Sequence, residues 1–202
     1  MKLFLSALLF LGSISSAFAQ TNHIQVMASI HPLALVAASV VEPDSLEVLL
    51  PKGMTPHDFS LRPSDIDRIQ NADVILWAGA DSEPYLSGFV ERWPEKKWID
   101  VSPANNETDI KDPHWWFSAE LMIDAQKQLA QVLSLSTNDF EQQVNQAVDN
   151  AKAQLEPVQT KGFLVFHQAY DHWVEAMQLN QVGAFTISPE QKPGAKTVQR
   201  MR

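Results

Sequence analysis

His57, His114 and His167 are the side chains of this sequence best placed to do chemistry. His57 lies in Thr55-Pro56-His57-Asp58, just past an apolar run that reads as a strand. His114 follows Asp112-Pro113 and leads the aromatic cluster Trp115-Trp116-Phe117, and His167 closes the run Gly162-Phe163-Leu164-Val165-Phe166. Each therefore sits in a loop or at a strand end, and parallel sheets put all such ends on one side, where ligands bind. Three neutral imidazoles without a thiolate suit zinc, whereas calcium or magnesium would want oxygen ligands. Cysteine is absent, which removes thiolate metal sites and cysteine nucleophiles. Asp58, Asp112 and Asp171 are near enough in sequence to orient an imidazole through its other nitrogen.

The remaining histidines of the six carry less. His23 lies close to the chain start and is expected to face solvent. His31 follows the first strand and precedes Pro32, where it could line a cleft, cap a helix or support a ligand. His172 is five residues after His167, off its helical face and beside Trp173, and reads as structural.

The elements that must hold these residues alternate. Ile24–Ile30 reads as a strand, Leu33–Val41 as a buried helix begun by Pro32, and Leu46–Leu50 as a second strand stopped by Pro51. A helix from about Ser64, which can cap it, leads into the strand Asp73–Gly79. Glu83–Trp93 is expected to be helical and Lys97–Val101 a strand. Strand–helix alternation of this kind implies parallel pairing with helices on both faces, an α/β lobe. Ser102–Asp112 is a polar loop, and a helix spans about Ala119 to Leu133.

The next helix is the most sharply patterned. Asn138 can cap it with Glu141 three residues on, and Phe140, Val144, Val148, Ala151, Leu155 and Val158 keep one apolar face. It should run roughly twenty residues, about 30 Å, long enough to link two lobes. The strand Gly162–His167, the helix Ala169–Met177, the strand Gln181–Thr186 and a helix from Pro193-Gly194 then open a second α/β lobe. One strand–helix–strand unit cannot bury both faces of a sheet, so this lobe is expected to be incomplete at Arg202. The expected organisation is a segment 1–19, an N-terminal lobe 20–135, a linking helix 136–159 and a partial C-terminal lobe 160–202.

Met1-Lys2, the apolar run Leu3–Leu11 and the ending Ala17-Phe18-Ala19 describe a secretory signal peptide cleaved after Ala19. The run is too short to remain as a span, and no later segment approaches the required length. An exported, non-spanning chain is expected. The formal net charge of −9 argues against nucleic acid, which requires a basic face, and suits a collector of cations.

The strings Pro56–Asp65, Asn71–Gly79, Asp112–Ser118 and Phe166–Tyr170, with the Pro-Glu-x-x-Pro-Gly-Ala run at 189–195, resemble the periplasmic metal-binding proteins of ATP-driven zinc and manganese importers, of the ZnuA type. The resemblance covers essentially the whole chain after residue 19. It implies a periplasmic protein, expected to be monomeric, that captures Zn²⁺ and delivers it to the inner-membrane permease of an ABC importer. His57, His114 and His167 fall on that family's three histidine ligands. Manganese members typically place a carboxylate where His167 stands, so the third imidazole favours zinc. Zinc members often carry a histidine-rich loop before the second ligand, whereas Asn105–Asp109 is short, acidic and histidine-free. Family chains also continue past the position of Arg202 to a fourth metal-facing residue, often an aspartate.

Two alternatives accompany this reading. One is a manganese-binding relative, and the other a zinc hydrolase using the same histidines, since three ligands and an open position also describe catalytic zinc. An enzyme would need a general acid or base beside the metal. The sequence has no His-Glu-x-x-His and no glutamate paired with any of the three, so no enzymatic role is expected. A third reading is an extracytoplasmic adhesin or lipid-anchored relative, and the lack of a cysteine near the signal cleavage site argues against lipid anchoring.

Overall fold

Val26, Met27 and Ala28 form a strand (β1, Val26–Ala28) that is fully buried on both faces. It lies within the expected strand Ile24–Ile30 but is shorter. Its burial follows from its place in the sheet, because a central parallel strand flanked by helices has no wet face. The computed structural model describes residues 24–103, 110–137, 139–187, 191–194 and 199. The expected signal segment, His23, Asn138 and most of the helix expected after Pro193 lie outside the described residues.

Strands β2 (Leu46–Val48), β3 (Val74–Trp77) and β4 (Lys97–Asp100) complete a four-stranded sheet in the order β2-β1-β3-β4, parallel throughout. Helices α1 (His31–Ala37), α2 (Pro63–Asn71) and α3 (Pro84–Arg92) make the crossovers. Helix α4 (Ala119–Leu133) packs back against α1 and β4. Met27, Leu33, Leu49, Ile75, Leu76 and Leu129 fill the core between these layers.

Two helix ends differ from the sequence reading. α1 stops at Ala37, not Val41, where the chain tightens into a turn: the Ser39 and Val40 amides reach back three residues, to the Val36 and Ala37 carbonyls at 3.1 and 2.9 Å. Adjacent β-branched residues resist helical continuation there. α2 begins at Pro63, so Arg62 and not Ser64 takes the capping position. The Asp65 carboxylate accepts the Arg62 amide at 2.9 Å and the Arg68 guanidinium at 3.2 Å.

Gly79 closes β3 at φ +83°, and a Cβ there would lie 2.8 Å from Asp100 Oδ1. Only glycine allows the chain to leave the sheet so close to the end of β4.

Helix α5 (Phe140–Leu155) continues into a short 3-10 turn, Glu156–Val158. No α5 residue is fully buried, and its apolar stripe is half-covered by α4 and its surroundings. It leads to a second, two-stranded parallel sheet of β5 (Phe163–His167) and β6 (Gln181–Thr186), with α6 (Asp171–Ala176) as crossover. Part of this sheet faces outward: Phe166 is 57% and Val182 62% exposed.

Candidate metal centre

Each imidazole is carried on a backbone that the surrounding chain anchors. Past β2, the amides of Leu49 and Leu50 extend the parallel ladder onto Ala28 and Ser29, both at 2.9 Å. Pro51 cannot donate and ends it. The loop turns at Gly53, φ +82°, and is pinned again by Phe59, buried against Tyr85 with ring centroids 5.3 Å apart. His57 stands exposed between those two anchors.

His114 is buried just before the 3-10 turn Trp115–Phe117. Asp112 Oδ1 accepts its backbone amide at 3.1 Å and also its ring Nδ1–H. A carboxylate only accepts, so the neutral ring carries its proton on Nδ1 and keeps a lone pair on Nε2. Asp112 Oδ2 accepts the Asp171 amide at 3.0 Å, and His172 Nε2 donates to the Asp112 carbonyl at 2.8 Å. Ser82 Oγ donates to the Pro113 carbonyl, tying this loop to the start of α3.

His167 ends β5, held in register by the Gln168 amide on the Thr186 carbonyl at 3.0 Å and by Thr186 Oγ1 on the Phe166 carbonyl at 2.9 Å.

The three rings converge. Centroids of His57 and His114 are 5.3 Å apart, of His57 and His167 5.4 Å, and of His114 and His167 4.9 Å. One potential ligand nitrogen from each lies within 4.8 Å of the others. His57 Nε2 and His114 Nε2 are 3.1 Å apart, close to the roughly 3.3 Å that two nitrogens about 2.0–2.1 Å from a tetrahedral zinc would show. The rings open into a cleft of about 320 Å³ that Trp116, Phe117 and Tyr170 also line. Exposure falls from His57 through His167 to His114, so a cation can enter on one side and meet a buried nitrogen on the other.

The acidic neighbours divide differently from expectation. Burial disfavours a charge on Asp112, but the hydrogen bonds from His114 and Asp171 outweigh it and hold the carboxyl below its ordinary value. Burial, and then the charge of Asp112, pushes Asp171 up; its side chain accepts from Gln168 and orients no imidazole. Asp58 is exposed, and among the described residues its carboxylate takes no hydrogen bond from a ring. Of the three candidates only Asp112 orients an imidazole.

His31 opens α1 without capping it, since Ile30 holds the cap position. Its ring lines the cleft, half-buried, outside the triplet of close nitrogens. His172 is buried and structural, stacked edge-on against Trp115 at 5.0 Å. Sequence reasoning missed Glu83. It is fully buried and accepts from Ser29 Oγ at 2.6 Å, the Ala78 amide at 2.7 Å and Tyr85 Oη at 2.6 Å. Its place beside Pro84 at a helix start resembles an ordinary solvated acid, so nothing local in the sequence marks it.

A parallel sheet and a second α/β unit about a histidine-lined cleft define the class, the fold of metal-binding solute-binding proteins. Solved structures bear this out. The laminin binding protein of Streptococcus agalactiae superimposes with a TM-score of 0.74 at 19% identity, over 88% of this chain and 74% of that one. The periplasmic zinc binding protein TroA of Treponema pallidum gives 0.72 at 21% identity, over 88% and 72%.

At the level of sequence, the family model described as zinc-uptake complex component A, periplasmic, matches residues 26–202. The high-affinity zinc uptake system protein ZnuA of Yersinia pestis is 30% identical over 88% of this chain and 70% of its own length. Its counterpart in Haemophilus ducreyi is 29% identical over 88% and 72%. The chain belongs to the ZnuA family.

Proposed function

We propose that this protein binds Zn²⁺ in the periplasm and hands it to the membrane permease of an ABC importer, with His57, His114 and His167 as the ligands. The observation that carries the reading is the convergence of three imidazoles in one cleft, one of them fixed by Asp112 with Nε2 presented as a lone pair. Family membership supports zinc as cargo. The three imidazoles among the described residues favour zinc over manganese, which prefers oxygen ligands. Residues 20–135 and 160–202 act as the two walls of the cleft, with 136–159 linking them. No described helix is long and apolar enough to cross a membrane, and family membership supports a separate permease as the recipient. Capture needs no general acid or base, and the cleft is read as a binding site rather than a catalytic one.

The test is competitive titration of Zn²⁺ and Mn²⁺ into the protein and into His167→Ala. Wild type should take zinc in preference to manganese, with one ion per chain. The variant should lose about a hundredfold or more in zinc affinity, since outer hydrogen-bond partners alone are worth 10–100-fold. Unchanged affinity in His167→Ala would refute the site.

A further inference from the structure

The residue that orients the His114 ring is itself held from the far side of the cleft. The Asp112 side chain is 1% exposed, so solvent cannot stand in for its protein partners. One carboxylate oxygen is taken up by His114. The other accepts the Asp171 amide at 3.0 Å, and the Asp112 carbonyl accepts from His172 Nε2 at 2.8 Å. A carbonyl only accepts, so the His172 ring carries a proton on Nε2. Both anchors belong to the first turn of α6. Two ring contacts extend the seam: Trp115 meets His172 with centroids 5.0 Å apart, and Phe117 meets Tyr170 at 5.1 Å. Segments 112–117 and 170–172 are thereby joined along their length.

Only Gln168, Ala169 and Tyr170 separate His167 from that turn. A short segment therefore carries one converging histidine at its start and grips the loop of another at its end. Along the chain, His114 and His167 are connected through the whole of α4 and α5; across the seam they are connected within a few residues. Their ring centroids, 4.9 Å apart, are the closest pair of the three.

We propose that His172 is a positioning residue for zinc capture: its Nε2–H bond to the Asp112 carbonyl clamps the His114 loop onto α6 and presets the His114–His167 spacing before the ion arrives. The inference rests on the reading of the three converging histidines as a zinc site. His172 is outside that set of close nitrogens and acts through Asp112. With the clamp made, the buried part of the site needs no reordering on binding, and the exposed His57 supplies the adjustable contact. Without it, zinc binding must also order residues 112–117, and affinity falls.

Three readouts test this: zinc affinity by chelator competition, denaturant unfolding of the metal-free protein, and the proton NMR signal of His114 Nδ1–H. They are to be measured on wild type, His172→Phe, His172→Gln, Ile75→Val and His167→Ala. Phenylalanine keeps a ring against Trp115 and removes the donor, whereas glutamine places an amide N–H near the position of Nε2. Ile75→Val loosens the core in the middle of β3. His172→Phe should bind zinc about five- to tenfold more weakly, the scale of one hydrogen bond, and its His114 proton signal should broaden through faster exchange with water. His172→Gln should stay near wild type. Ile75→Val should lose stability and keep both the wild-type affinity and the His114 signal. Wild-type affinity in His172→Phe, with binding lost in His167→Ala, would overturn the proposal and leave the three-histidine site standing. Equal weakening in His172→Phe and His172→Gln, or weakening in Ile75→Val, would trace the effect to general destabilisation and overturn it as well. Unchanged affinity in His167→Ala would overturn the site and the proposal together. Should His172→Phe not fold, hydrogen exchange on the metal-free wild type decides. A clamp makes the Asp171 amide, which donates to Asp112, and the Phe117 amide, which donates to the His114 carbonyl at 3.1 Å, open as one unit with a common free energy. Separate opening free energies at the two amides overturn the proposal.

Discussion

Asp112 does more for the site than its position beside a proline suggests. One carboxylate oxygen fixes the His114 tautomer, and the other accepts the amide of Asp171, at the first turn of α6. Asp112→Asn should therefore act twice. An amide accepts from His114 more weakly than a carboxylate, and its NH₂ group must face a donor at Asp171. Zinc affinity should fall by about 10–100-fold, and denaturant unfolding of the metal-free protein should show a loss of about 1–3 kcal/mol. The pH dependence separates the two kinds of group. Asp112 is held below its ordinary value, so its contribution to stability is present above the unfolded carboxyl pKa and is lost only as pH falls through the lower folded value. The imidazoles must be neutral to ligate, so zinc affinity should drop as pH falls through the general imidazole range. Calorimetric titrations across that window should show the fall in affinity while the metal-free melting temperature shows no loss from Asp112. Loss of zinc only below about pH 4 would contradict the assignment of imidazole ligands.

Among the elements, the ends of β1 and β3 and the start of α3 meet on the Glu83 carboxylate, which takes three hydrogen bonds. Burial pushes this carboxyl above its ordinary value of 4.5 despite the three donors. Its contribution to stability is then fully present below the unfolded value and is lost as pH rises through the folded one. Glu83→Gln turns an NH₂ toward at least one donor and should destabilise the fold by about 1–3 kcal/mol. The gap between wild type and variant should narrow as pH rises, read from denaturant melts at several pH values. A gap that widens with pH would mean that the three donors outweigh burial. The alternation of strands and helices was plain in the sequence because β-period and helix-period apolar runs are local features. The three histidines that converge in the cleft were also legible as a group, since each follows an obvious strand or a proline. Glu83 and Ser82 were not. Their roles arise from contacts with residues 29, 78, 85 and 113 that only the folded sheet brings near. Helix ends at Ala37 and Pro63 were misplaced because single turns and proline positions decide them, not periodicity.

For the whole molecule, the three converging histidines come from unequal neighbourhoods. His57 and His114 extend from the four-stranded sheet with its continuous core, and His167 from a sheet that has two strands among the described residues. A two-stranded sheet is marginal alone, and this one exposes Phe166 and Val182, with Ile187 just past β6 78% exposed. Its opening free energy should therefore lie well below that of the four-stranded sheet. Zinc held by all three histidines would make opening of β5–β6 break a metal bond. At free zinc of 100 times Kd, linkage adds about 2.7 kcal/mol, or about a hundredfold in exchange protection. Hydrogen exchange should accordingly show zinc protecting the amides of Phe163–Phe166 and Val182–Thr186 by up to that factor, with β1 and β3 changing far less because their exchange is already slow. In His167→Ala, any zinc retained by His57 and His114 should protect the loop around Thr55–Phe59 and leave β5–β6 unchanged. Equal protection of β5–β6 in the variant would show that the ion does not bridge the cleft through residue 167. Capture would then have to be explained within the four-stranded side alone.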